Sequence, residues 1–295
     1  MRDREGDAGR GMNAMTDALA ALAVGDWLGA GVAARFVAAQ YPDSHLAQAL
    51  DAYLRSLPGL GVYEEPSAFS TFIDQGDNPE LYRRTIAALA AVHGQSQPTS
   101  VLDVGCGDGR VTAAALGPAT ICVELVEPSA ALLATAVAAV TRPGVEVVGH
   151  QVDAATFVAR RPAGSWDLVQ STFALHAVEP SQRPMVLGAL AARTRHLVAV
   201  EFDVPGFGDR SHEHLAYLAD RYEVGVREYG DHPEVVSGFL MPVLVGQLDP
   251  SRPRYTFEQP IAEWAAQLRH AGFSTTTEPV HPYWWAEAAL VTARR

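Results

Sequence analysis

Val101-Leu102-Asp103-Val104-Gly105-Cys106-Gly107-Asp108-Gly109-Arg110 is the stretch that decides the fold. Its first four residues read as a short buried strand, and the Val-Thr-Ala-Ala-Ala that follows reads as a helix. Gly105, Gly107 and Gly109 stand between them. Glycines let a backbone turn tightly and approach a ligand closely. A glycine-rich turn from first strand to first helix is where an open α/β sheet binds a nucleotide. The spacing here is Gly-x-Gly-x-Gly. The dinucleotide fingerprint needs its third glycine one place later, where Arg110 stands. Asp103, two residues before the first glycine, is a second departure. A carboxylate there repels a pyrophosphate and favours a ligand bearing an ammonium group.

Downstream the alternation continues. Strands are expected at 121–126, 145–148, 166–170 and 196–202, with helical segments at 109–116, 129–140, 153–160 and 181–192 between them. Strand and helix at this spacing imply βαβ units and a parallel, doubly wound sheet. After Phe202 the alternation stops. It resumes with a helix at 259–271 and strands at 273–280 and 284–292. The interval 204–256 is too long for an ordinary connection and reads as a helical lid insertion, with helices near 210–229 and 233–247. Upstream, residues 1–12 read as a flexible tail. Gly25, Pro42 and Pro58 cut 16–57 into roughly three helices, in which Leu28, Val32 and Phe36 recur at helical spacing. An aromatic loop with Tyr63, Phe69 and Phe72 follows, then a helix from Pro79 to His93, closed by Gly94. The expected organisation is a tail (1–12), an N-terminal helical cap (13–95) and a core (96–295) that carries the lid.

Two acids stand where a nucleoside would meet the sheet. Glu127 ends the second strand and is followed by Pro128 and Ser129; an acid there accepts hydrogen bonds from ribose hydroxyls. Glu124 lies inside the strand and suits that place less well. Asp153-Ala154 follows the third strand, where a carboxylate can receive an adenine amine or cap the next helix. With these residues the segment resembles the class I S-adenosylmethionine-dependent methyltransferases. Asp167-Leu168-Val169-Gln170-Ser171 and Leu268-Arg269-His270-Ala271-Gly272-Phe273 also fit that family. The resemblance covers 96–295 apart from the insertion. It implies a seven-stranded Rossmann-like sheet with an antiparallel last strand and S-adenosyl-L-methionine as cofactor. It also implies cofactor contacts from Asp103, Gly105, Cys106, Gly107, Gly109, Glu127, Pro128, Asp153, Ala154, Gln170 and Ser171. Cys106 reads as a small packed residue, because methyl transfer needs no covalent enzyme intermediate.

The acceptor is less legible. His176 follows the fourth strand, and a neutral imidazole there can take a proton from an acceptor. Glu201 and Asp203, two apart on the fifth strand, share a face and can orient an amine or act as base. Tyr63, Phe69, Phe72, His212, His214 and Tyr217 are the candidates for lining an acceptor pocket. Ser211-His212-Glu213-His214 does not read as a metal site, because helix positions two apart point in different directions.

Composition limits the partners. The 295 residues carry a formal charge of −12, with 22 basic side chains that are all Arg. The absence of Lys excludes Schiff-base and P-loop lysine chemistry. The acidic balance disfavours nucleic acid. Two cysteines do not build a disulfide framework, and no apolar run reaches the about 20 residues that span a bilayer. The expectation is a cytoplasmic enzyme that methylates O, N or C of a small, partly apolar acceptor in bacterial specialised metabolism. A homo-oligomer is allowed but not required. The alternatives are a protein or peptide methyltransferase and a cofactor-binding module with a regulatory or cyclase role.

Overall fold

The computed structural model describes residues 14–56, 66–160 and 164–295. The chain divides into two units, each made of two separate stretches. One comprises residues up to Pro79 with Gly206–Tyr255, the other Glu80–Pro205 with Thr256–Arg295.

In chain order the first unit begins with helices α1 (residues 14–23), α2 (Trp27–Gln40), α3 (His45–Arg55) and α4 (Pro66–Asp74). Helix α5 (Asn78–Ser96) then leads into β1 (Ser100–Val104), α6 (Arg110–Ala115), β2 (Cys122–Val126), α7 (Ala130–Val140) and β3 (Glu146–His150). They are followed by α8 (Ala154–Ala159), β4 (Leu168–Thr172), α9 (Arg183–Ala191) and β5 (His196–Phe202). The chain returns to the first unit with α10 (His212–Glu228), α11 (Pro233–Val235) and α12 (Met241–Leu248). It closes with α13 (Ile261–His270), β6 (Ser274–His281) and β7 (Ala288–Arg294).

The sheet of the second unit has the order β3-β2-β1-β4-β5-β7-β6. Strands β1 to β5 run parallel, and β7 is antiparallel to both β5 and β6. The order reverses between β1 and β4, and their carboxyl ends open the crevice in which such sheets bind ligands. Both faces are covered. Val101 packs with Leu89, Val123 and Leu168 on one side, while Leu102 and Val104 pack with Val169, Leu190 and Leu268 on the other. Strand alternation therefore turns Asp103 to the side of Val101 and α5.

Several boundaries differ from the sequence reading. Strand β4 starts two residues late because Asp167 turns to the neighbouring strand, where it accepts from Thr99 N (2.8 Å) and Ser100 N (3.1 Å). Trp166 keeps only an isolated bridge to Thr194. Strand β7 starts at Ala288 rather than Trp284, because Tyr283, Trp284 and Trp285 form a ring cluster in which Tyr283 stacks on Phe202. Helix α5 runs through Gly94 to Ser96. Phe69 and Phe72 lie on α4, not in a loop. Their rings pack on Phe239 at 5.4 and 4.4 Å, and Phe72 also meets Tyr229. Tyr63 lies outside the described residues. The periodicity of Leu28, Val32 and Phe36 does locate α2, but that face is outward, with Leu28 81% exposed. Ala30, Ala34 and Val37 are the residues α2 buries.

Distant polar contacts hold the first unit together. Glu223 on α10 caps α3: its carboxylate accepts from His45 N at 2.9 Å, Leu46 N at 3.0 Å and Ser44 Oγ at 3.0 Å. Trp27 Nε1 donates to Asp249 at 2.8 Å, and Arg252 lies over the Trp27 ring. Between α11 and α12 the helix widens into a π turn, Val236–Leu240. Pro242 explains it, since its ring would clash with the carbonyl four residues earlier in a regular α-helix. Glu223→Ala should remove four hydrogen bonds at the start of α3, two from backbone N–H groups and two from the Ser44 and His45 side chains, and destabilise that helix by about 0.5–2 kcal/mol. Hydrogen exchange should quicken first at His45 and Leu46, while the amides of β1 and β4 keep their protection.

Candidate active site

The turn after β1 is built on positive φ values of 75°, 55° and 76° at Gly105, Gly107 and Gly109. The three glycines serve different ends. A Cβ at Gly105 would lie 2.3 Å from the Ala174 Cβ, and one at Gly109 would lie 2.7 Å from the Ala136 Cα. Both are closed by protein packing. A Cβ at Gly107 would meet nothing within 4 Å. Gly107 is thus the point at which a ligand can approach the backbone.

Two buried acids face this turn. Glu127 is 8% exposed and accepts from Gly107 N at 3.2 Å and Ser129 N at 3.0 Å. Burial raises its pKa, and the two N–H groups offset this only in part. Its rival Glu124 is occupied by His150 Nε2 and Trp166 Nε1, each at 2.8 Å. Asp103 is 2% exposed and accepts the Thr112 hydroxyl proton on Oδ2. Its Oδ1 is buried without a partner, and burial pushes its pKa up to about 6. An unpaired buried carboxylate oxygen is costly to the protein alone. A cationic donor would satisfy it.

The remaining expected cofactor residues divide. Cys106 is half-buried, and burial with the nearby Asp103 and Glu127 carboxylates pushes its thiol up, so it stays neutral. Pro128 is exposed at the start of the turn into α7. Asp153 caps α8, whose first residue is Ala154, with both carboxylate oxygens on Thr156 (N at 2.7 Å, Oγ1 at 2.8 Å). Burial opposes the Asp153 charge, but these bonds prevail and lower its pKa. Gln170 and Ser171 point inward. Gln170 is fully buried between Thr112 and His93, and Ser171 Oγ donates to Val104 O at 2.8 Å.

Beyond β4 the chain turns sharply at Phe173, which holds a φ of 49°. The turn converges three N–H groups, from Ala174, Leu175 and His176, on Glu201 Oε1 at 3.0, 2.7 and 3.4 Å. The other oxygen of Glu201 lies 2.8 Å from His176 Nδ1. Burial opposes a charge on His176, but the Glu201 carboxylate outweighs it and raises the pKa, with Glu258 adding to Glu201 and Arg183 opposing it. Glu201 is therefore the partner of His176 rather than a separate base. The sequence holds no signal for this pairing, which joins residues 25 apart across the ends of two strands. Asp203 is also engaged: its Oδ1 accepts from Ile261 N at 2.8 Å, capping α13. Thr112 and His93, which sequence reasoning passed over, belong to the Asp103 network.

The other expected acceptor residues lie in the first unit. His212 is exposed. His214 accepts from Arg210 N at 3.1 Å and stacks on Phe207, which also meets Tyr217. Among the described residues no group of three or more His, Cys, Asp or Glu side chains is arranged to hold a metal, and no helix is long and apolar enough to cross a membrane.

Residues 101–196 match the family model described as a methyltransferase domain. An O-methyltransferase family protein from Burkholderia thailandensis shares the fold, with 14% identity, 92% of this chain and 73% of that chain covered, and a TM-score of 0.54. A magnesium protoporphyrin IX methyltransferase from Synechocystis PCC 6803 with bound SAH aligns at 16% identity over 73% of this chain and 84% of that one, with a TM-score of 0.48. No curated protein matches the chain. Residues 101–196 are thus a methyltransferase domain, for which S-adenosylmethionine is the cofactor. The site fits the cofactor. The unpaired Asp103 oxygen suits its ammonium group, Gly107 leaves room at the backbone, and Glu127 is an acceptor for ribose hydroxyls.

Gly107→Ala should fold with a modest loss of stability, and its affinity for S-adenosylhomocysteine in calorimetry should drop at least tenfold. Gly105→Ala should instead fail in folding, since its Cβ overlaps Ala174.

Asp103 also has a consequence for stability. Its folded pKa lies above the ordinary 3.8 of an aspartate, so its contribution is complete below about pH 4 and is lost as the pH rises through about 6. The loss is on the order of 3 kcal/mol. Asp103→Asn should therefore raise the denaturation midpoint of the ligand-free protein at pH 8 and weaken S-adenosylhomocysteine binding at the same pH.

Proposed function

We propose that the chain methylates a proton-bearing heteroatom, foremost a hydroxyl, of a small and partly apolar acceptor. The observation that carries this is the His176–Glu201 pair on a turn packed against the glycine loop through Ala174 and Gly105. Glu201 holds the ring proton on Nδ1 and leaves Nε2, which has no hydrogen-bond partner among the described residues, as the basic nitrogen. When bound, S-adenosylmethionine supplies an electrophilic methyl group on a sulfonium centre. The chain's own tasks are to align the acceptor, remove its proton and exclude water. Asp203 caps a helix in this reading and takes no part in proton removal.

The acidic, Lys-free composition supports a small acceptor over nucleic acid, and Arg without Lys together with abundant Ala suits a GC-rich bacterial genome. Specialised metabolism in the cytoplasm is the setting we infer from that composition. A protein or peptide acceptor is the second reading, with no side-chain arrangement that favours it.

The test is transfer of label from S-adenosylmethionine to phenolic and other hydroxyl acceptors. His176→Ala should lower turnover by about 10²–10⁴-fold and leave cofactor affinity nearly unchanged. Wild-type turnover should rise with pH through a midpoint above the usual 6.5 of histidine, because the neutral ring is the base. Glu201→Gln should turn over more slowly, with that midpoint moved down. An unchanged rate in His176→Ala would remove the general base. Tight cofactor binding with no labelled product from any acceptor class would mark a non-methylating binder.

A further inference from the structure

A line of buried side chains leads away from the back of the glycine loop. Thr112 donates its hydroxyl proton to Asp103 Oδ2. Gln170 Nε2 donates to Thr112 Oγ1 at 3.0 Å, and Gln170 Oε1 lies 2.9 Å from His93 Nε2. None of the four side chains is more than 2% exposed. Sheet register builds the line. Asp103 on β1 is paired with Gln170 on the adjacent parallel β4, so the two side chains leave the same face. Helix α6 adds Thr112 from above the loop, and α5 adds His93 near its C-terminal end.

The proton directions follow one from another. Thr112 has a single hydroxyl proton, and it accepts the Gln170 amide, so its own proton points to Asp103. The Gln170 carbonyl then accepts from His93, which carries its ring proton on Nε2. The two ends, His93 Nδ1 and Asp103 Oδ1, are buried without partners. Reversing the line would take a proton added to Asp103, the Gln170 amide turned over and the His93 proton moved to Nδ1.

We propose that Thr112, Gln170 and His93 are positioning residues that supply the hydrogen bond to one oxygen of Asp103 and aim the other at the cofactor's ammonium group. This rests on the S-adenosylmethionine reading of the site. The groups facing Asp103 do not replace the line. Glu127 is itself an acid, and Cys106 offers only a neutral thiol. Arg142 and His196 face His93 at the far end, and burial keeps both His93 and His196 neutral near pH 7. Loss of the Thr112 proton would leave the Asp103 carboxylate buried with only the Gln170 amide near it as a donor, and the carboxyl would hold its proton to higher pH.

The test is calorimetry of S-adenosylhomocysteine with the full chain between pH 5 and 9. Wild-type affinity should decline on acidification, as Asp103 takes up a proton. Thr112→Val should bind at least tenfold more weakly at pH 7, with the decline moved upward by half a pH unit or more. Thr112→Ser should restore both. Gln170→Leu leaves the Thr112–Asp103 bond in place and should move the decline in the same direction by less. It carries the test if Thr112→Val does not fold. Folded Thr112→Val or Gln170→Leu with the wild-type pH profile would overturn the proposal, whether affinity is kept or uniformly reduced, because packing alone would then explain the line. A wild-type chain that binds no S-adenosylhomocysteine at any pH would overturn the cofactor reading, and this proposal with it.

Discussion

Two loops at the carboxyl ends of β1 and β4 can share the same space only because Gly105 has no Cβ. The clash distance to Ala174 would be 2.3 Å. Both halves of the site depend on that contact. On one side are the glycine turn and its acids. On the other is the turn that begins at Phe173 and carries His176. Any larger residue at position 105 would separate the cofactor-binding backbone from the imidazole. The positive φ at Gly105 and the left-handed Phe173 are the local costs of bringing them together.

The site is also defined by how its carboxylates are held. Glu201 accepts three backbone N–H groups and faces an imidazole. Glu127 accepts two N–H groups. Asp103 accepts one hydroxyl and keeps an oxygen unpaired. The series runs from a fully satisfied acid that orients a neighbour to an under-satisfied one that awaits a ligand. No Arg neutralises any of the three through a direct ion pair in the described residues. The site is electronegative, which suits a cationic cofactor and agrees with Asp103 replacing the features of a pyrophosphate binder.

The fold was legible because its determinants are local. The glycine spacing, the acids after β2 and β3, and the strand–helix alternation each lie within a few residues. What stayed illegible depends on partners far along the chain. Asp167 leaves β4 to bind Thr99, and the Tyr283–Trp285 aromatics pack as a cluster instead of opening β7. Glu201 and Asp203 share a strand face, as their spacing says. The spacing does not reveal that one meets His176 and the other caps α13. Phe69 and Phe72 looked like loop residues because the helix around them is short and polar at its edges. The apolar stripe of α2 has a helical period but faces outward, since periodicity identifies a face and not what covers it.

The cap on α3 has a bearing on how the protein is made. Ser44 and the Glu223 that binds it are 179 residues apart. At about 5–20 residues per second, the ribosome adds that interval in roughly ten to forty seconds. Throughout it the first three helices exist without α10 and without Asp249. Synthesis of β1 to β5 falls inside the same interval, and β7, which must slot between β5 and β6, emerges after both. The first unit therefore stays incomplete while β1 to β5 of the second are made, and a nascent chain stalled before residue 250 would leave both units unfinished. Apolar faces meant for burial are then exposed together, and holding chaperones recognise such surface.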